Sequence, residues 1–160
     1  MFSAKTTQQN PGWLEKLKLR YKQEPLEAVV GYPRGKEGVG SPHYENGASI
    51  LQVAIWNNYG TEAIPRRAFM DLASAQMQPK FKQMMKDTIK RINAGDLELK
   101  TVLKAAAAMG QAEVQKAIVD GDWAENSPET IARKGKGKRP LTDTGDLGKY
   151  VTSDVRARTT

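Results

Sequence analysis

From Phe69 to Ile118 the apolar residues recur at intervals of three and four, and this constrains the fold more than any other feature. Phe69, Leu72 and Ala73 start the pattern. Phe81, Met84, Met85, Thr88, Ile89 and Ile92 continue it, with Lys80, Lys82, Lys86 and Lys90 mostly on the opposite face. Pro79 either kinks this helix or opens a new one at its first turn. Gly95 ends it. A second long helix follows through Leu99, Val102, Leu103, Ala106, Met109 and Ile118, up to Gly121. Its alanine run, Ala105 to Ala108, allows close approach of a neighbour. Two such helices need a surface to cover, and the rest of the chain must provide it.

That surface is expected to be a small sheet. LEAVVGY, Leu26 to Tyr32, has strand content, and KYVTSDVRA alternates at Val151, Ser153, Val155 and Ala157. Two strands alone do not make a stable sheet. A hairpin from the Gly31–Gly47 loop, or strands from a neighbouring subunit, would complete it. Shorter helices are expected at Trp13, Leu14, Leu17 and Tyr21, stopped by Pro25, and at Leu51, Ala54, Ile55, Asn58 and Tyr59. Gly60 fits a left-handed cap after the latter. Residues 1–10 read as a loose tail, and residues 11–160 as one domain with long flexible loops at 31–47 and 121–148. The expected class is α+β: a small antiparallel sheet packed by several helices, two of them long.

The chain has 160 residues and no cysteine, so it has no disulfide framework and no cysteine metal site. A single histidine, His43, argues against a zinc cluster or a histidine-based triad. No apolar run approaches the roughly 20 residues that span a bilayer. The opening MFSAKTTQQNPGW lacks a secretory core, so synthesis in a cytoplasm is expected.

The net charge is +7, from 25 basic and 18 acidic residues. Arg133, Lys134, Lys136, Lys138 and Arg139 crowd one stretch, and without them the balance is 20 to 18. The excess thus sits in one loop. A dedicated DNA-binding domain would show a whole basic face. The glycines of RKGKGKRP have the wrong spacing for a nucleotide-binding P-loop, and no strand precedes them. Asp143-Thr144-Gly145 has the form of an aspartic protease triplet. That chemistry needs a paired carboxylate in a mostly β frame, and this chain is mostly helical. The simpler reading of TDTGDL is a tight turn entering the last strand. Five cations also suit non-specific phosphate contact, without interleaved aromatics for base stacking. The alternative function class is therefore a small basic nucleic-acid-binding protein.

Three stretches in order carry a resemblance. Val53-Ala54 through Asn58-Tyr59-Gly60-Thr61 is similar to A-x-x-N-E-[FY]-G-T. Ile64-Pro65-Arg66-Arg67-Ala68-Phe69-Met70 is similar to I-P-x-R-P-F-L. Trp123, Ser127 to Ile131, Lys134, Pro140-Leu141 and Asp143-Thr144-Gly145-x-Leu147 follow W-x…T-x-x-x-K…P-L-x-D-T-G-x-L. Together, over Val53 to Val155, they resemble the tail-completion (neck, or virion-morphogenesis) proteins of long-tailed bacteriophages. Asn58 replaces that family's usual glutamate, and Ala68 its frequent proline.

The resemblance implies a structural virion protein, made in the host bacterial cytoplasm, with no catalytic residues and no cofactor or metal. It implies a ring, commonly a hexamer, at the head–tail joint. The ring meets a head-side connector or stopper ring and a tail terminator or tube protein, and DNA passes through its lumen. The candidate interface residues are Trp56, Tyr59, Gly60, Pro65, Arg67, Phe69, Trp123, Thr130, Leu141, Asp143, Thr144, Gly145 and Leu147. The cationic loop Arg133, Lys134, Lys136, Lys138 and Arg139 is expected to meet a protein partner or the lumen DNA.

Overall fold

The computed structural model describes residues 25–32, 47–94, 98–134 and 139–158. The expectations for the 1–10 tail, the Trp13–Tyr21 helix, most of the 31–47 loop, Gly95, Lys136 and Lys138 lie outside them.

The first and last described elements pair. β1 (Leu26–Gly31) runs antiparallel to β2 (Thr152–Ala157), with Leu26 opposite Ala157 and Gly31 opposite Thr152. Glu27 faces Arg156 in this register, and their side chains form an ion pair at 2.9 Å. Between the strands come α1 (Ile50–Tyr59), α2 (Phe69–Ala94), α3 (Leu99–Asp120), α4 (Pro128–Lys134) and α5 (Asp146–Lys149). The fold is α+β with two long helices, as the periodicity predicts. α3 is the organising element, packing against α2, both strands and α5.

Local chemistry explains most boundaries. Ser49 and Gln52 form a reciprocal capping box that opens α1. Gly60 closes it at φ 81°, ψ 166°, so its φ is positive as expected but its ψ is extended rather than left-handed helical. α2 continues through Pro79, which therefore does not open a separate helix. The proline supplies no N–H to the carbonyl of Ala75, but both residues are exposed and water can serve that carbonyl.

The core contains Ala54, Phe69, Ala73, Val114, Ala117, Ile118, Leu147 and Val151. Phe69 is wholly enclosed, and such burial contributes on the order of 2–3 kcal/mol. Tyr32 meets the Phe69 ring edge-on at 6.5 Å between centroids and donates from its hydroxyl to the carbonyl of Leu147 at 2.7 Å. Side chains of α3 stitch the last segment down. Gln111 Nε2 donates to the Val151 carbonyl at 2.9 Å, and Gln115 Nε2 to the Gly148 carbonyl at 3.1 Å.

Three expectations are corrected. α1 buries Ile50, Ala54 and Asn58, not the face through Ile55 and Tyr59, which are 45% and 70% exposed. ILQVAIWNNY contains no charged residue, so no polar face sets its rotation. The 121–148 segment is not simply a loop, since it contains α4 and α5. Ser127 accepts from the Thr130 N–H at 3.3 Å, and Pro128 takes the first helical position, an opening signal that periodicity does not register. Finally, TDTGDL does not lead directly into the strand. Gly145, at φ 75° and ψ −3°, starts α5, and β2 begins only at Thr152.

Candidate functional site

The three stretches that carry the resemblance meet around Arg67. This residue lies in the connection between α1 and α2 and is only 4% exposed. Burying a guanidinium requires that its fan of donors be met. Nη1 donates to Asn57 Oδ1 at 2.9 Å, Nε to the Ala124 carbonyl at 2.8 Å, and Nη2 to the Glu125 carbonyl at 2.9 Å. Nη2 also reaches Asn126 Oδ1 at 3.4 Å. These acceptors are neutral, and burial lowers the Arg67 pKa from its ordinary value. The backbone N–H of Arg67 donates to the Asn57 carbonyl at 2.7 Å, closing the knot from the other side.

Asn58 makes the second link. It is buried, and its Oδ1 accepts the N–H of Met70 at 3.0 Å. That N–H belongs to the first turn of α2 and has no partner within the helix. The end of α1 therefore caps the start of α2. Thr61 ties the intervening turn, its Oγ1 accepting the N–H groups of Ala63 at 3.2 Å and Ile64 at 3.0 Å.

The third stretch is anchored at both ends. Trp123 Nε1 donates to the Ala117 carbonyl at 3.1 Å, folding the indole back over the end of α3. A Cβ on Gly121 would come within 2.2 Å of that ring, so only glycine fits there. At the far end, Thr144 Oγ1 donates to Asp146 Oδ2 at 2.6 Å and accepts the Asp146 N–H at 3.3 Å. Leu141 adopts φ 65°, unusual for a branched side chain, and packs against the core.

The candidate interface residues thus separate into three groups. Arg67, Phe69 and Leu147 are interior and hold the fold; they do not face a partner. Trp56, Trp123, Thr130, Leu141 and Asp143 are half-buried, as is Gly60. Tyr59, Pro65, Thr144 and Gly145 are exposed. Of the cationic stretch, Arg133 and Lys134 form the end of α4, and Arg139 Nη1 donates to the Val119 carbonyl at 3.3 Å. Ile55 is a surface residue that the sequence reading missed, having assigned it to the buried face. Glu113 was missed too. It is buried on α3, pairs with Lys80 of α2, and leaves Oε2 without a hydrogen-bond partner.

Among the described residues, no group of three or more His, Cys, Asp or Glu is placed to hold a metal ion. Among the same residues, no helix is long and apolar enough to cross a membrane. The chain matches no family model, no curated protein and no solved structure.

Proposed function

We propose that the chain is a structural virion protein of the phage neck, a subunit of a ring, sixfold in form, at the head–tail joint. It completes the tail and connects it to the head-side connector. Its neighbours are copies of itself, the stopper ring and the terminator or tube protein. The observation that carries this reading is the knot at Arg67. The most motif-like residues of the chain converge there on mutual support. The Arg67 guanidinium binds Asn57 and the carbonyls after Trp123, and Asn58 beside it caps the start of α2, an arrangement suited to a rigid building block.

The outer surface also supports the reading. α1 holds Ile55 and Tyr59 outward on a helix with no charged residue, in a chain that is 27% charged. Depletion of charge around exposed aliphatic and aromatic side chains suits a protein interface. The cationic stretch then faces a neighbouring ring or the lumen DNA.

Electron microscopy of the purified chain tests this directly, with rings as the expected result. Virions carrying neutral residues at Arg133, Lys134, Lys136, Lys138 and Arg139 should yield heads and tails that fail to join. A chain monomeric at every concentration, together with normal virion yield from that variant, overturns the reading. DNA retention by the purified chain that falls steeply with salt and vanishes in the variant favours the nucleic-acid alternative.

A further inference from the structure

An apolar groove of about 400 Å³ lies between β1, α2 and α3. Val30 of β1, Met77 and Phe81 of α2, and Leu103 and Gly110 of α3 line it, and no charged side chain is among its described lining. Apolar side chains continue beyond that lining, toward Ala94 and Leu99. On α2, Phe81, Met85, Ile89 and Ile92 succeed one another at intervals of four, four and three. On α3, Leu99 stands one turn before Leu103. Phe81, Ile89 and Leu99 are 37%, 47% and 46% exposed, so the two helices do not cover this seam between themselves.

Cations border the seam on both sides. Lys82 and Lys86 each follow a seam residue of α2, and Lys100 and Lys104 each follow a seam residue of α3; all four are exposed. One position is a rotation of about 100°. The helices are joined through residues 95–98 and meet again at Lys80 and Glu113, so they run antiparallel. Equal rotations on antiparallel helices carry both lysine pairs to the same side, one along each edge of the seam. The described acids nearby point elsewhere. Asp87 lies seven residues from Lys80, on the side of α2 turned toward Glu113, and accepts from Gln83 Nε2 at 3.1 Å. Glu98 precedes Leu99 where Lys100 follows it, so the two stand on opposite flanks. Lys100 also sits in the first turn of α3, which has no acidic residue, against the preference of a helix N-terminus. Helix stability therefore does not account for its charge.

We propose that this seam is the docking site for an acidic amphipathic helix of another protein, its apolar face on Phe81, Met85, Ile89, Leu99 and Leu103 and its carboxylates beside Lys82, Lys86, Lys100 and Lys104. The shape favours a helix, because a concave seam between two helices receives a third. The charge favours acidic flanks, since four lysines on the edges steer and register a partner of opposite sign. A second copy offers no such helix among its described elements: α1 carries no charge, and α2 and α3 bring the same lysines. Nucleic acid would meet the lysines and leave the apolar seam in water. The inference is independent of the ring reading, which rests on α1 and its Ile55 and Tyr59.

Met77 to Ile92 rises roughly 22 Å, so a helix of about 15 residues matches the seam. The test uses a surface-displayed library of helices of that length. Their apolar positions vary among Leu, Ile, Phe and Met, and each flanking position carries Glu or Lys. The library is sorted against the full chain and against its Lys82→Glu, Lys104→Glu double variant, with circular dichroism checking that both fold. The expected result is Glu-flanked binders on the parent, whose affinity falls by about tenfold or more on the double variant. Ile89→Gln should weaken the same binders, and the double variant should select Lys-flanked helices instead. Absence of binders, equal selection of Glu and Lys flanks, or binders indifferent to these variants overturns the proposal. Capture of duplex DNA or of phosphatidylglycerol vesicles that a Glu-flanked helix fails to displace overturns it in favour of a phosphate surface. Self-association lost in Ile89→Gln overturns it in favour of a second copy.

Discussion

Arg67 Nε donates to the carbonyl of Ala124 at 2.8 Å across 57 residues of sequence. This bond, with its companions to Asn57 and Glu125, joins the α1–α2 connection to the segment that leaves α3. Arg67→Met should cost about 2–4 kcal/mol, because it leaves buried carbonyls without donors. Arg67→Lys should recover only part of this, since one ammonium cannot span these separated acceptors. Urea unfolding measures both, and limited proteolysis should show new cutting near residues 121–127.

Asn58 caps a helix to which it does not belong. Asn58→Ala should lower stability by about 1–2 kcal/mol, the usual cost of a lost cap. The same denaturation experiment reads it. A change within a few tenths would mean that water replaces the amide oxygen at Met70.

Gly121→Ala should displace the Trp123 indole, since the new methyl would occupy the ring's place. We expect a loss of about 1–3 kcal/mol. With Trp13→Phe and Trp56→Phe isolating Trp123, its fluorescence emission should shift to the red.

Lys80 and Glu113 form a coupled pair across α2 and α3. Lys80→Met leaves the Glu113 carboxylate buried with neither oxygen paired by a cation. The double variant Lys80→Met with Glu113→Met should be more stable than Lys80→Met alone, by about 1–3 kcal/mol. A double-mutant cycle in urea tests the sign.

Tyr59 is 70% exposed, so Tyr59→Ser should leave the melting transition of the monomer within about 0.5 kcal/mol of the parent. If α1 is an assembly surface, the same change should abolish rings, as read by light scattering coupled to size exclusion. Intact rings in Tyr59→Ser would show that the subunits meet elsewhere.

Particular elements show where sequence reasoning reaches its limit. α3 was legible because Val102, Ala106 and Ile118 repeat against an exposed face carrying Lys104 and Lys116. α1 was legible as a helix but not in its rotation, because a segment without charges presents the same pattern to either side. α4 escaped notice because seven residues are too few for a period to register, although its Ser127-Pro128 opening was in plain view. Arg67 was recognisable as important and was assigned to the wrong place. An arginine in a polar connection is ordinarily solvated, and only its acceptors reveal a strut.

The helix at Ile50–Tyr59, the two long helices, the two strands and the α+β class follow from the sequence alone, because they rest on local periods and local caps. Three features required the tertiary structure: the face of α1 turned inward, the acceptors of Arg67, and the groove left between β1, α2 and α3. Two of those acceptors are backbone carbonyls, which every residue possesses and no sequence distinguishes. Helix rotation and cavity shape likewise depend on side chains brought together from far along the chain.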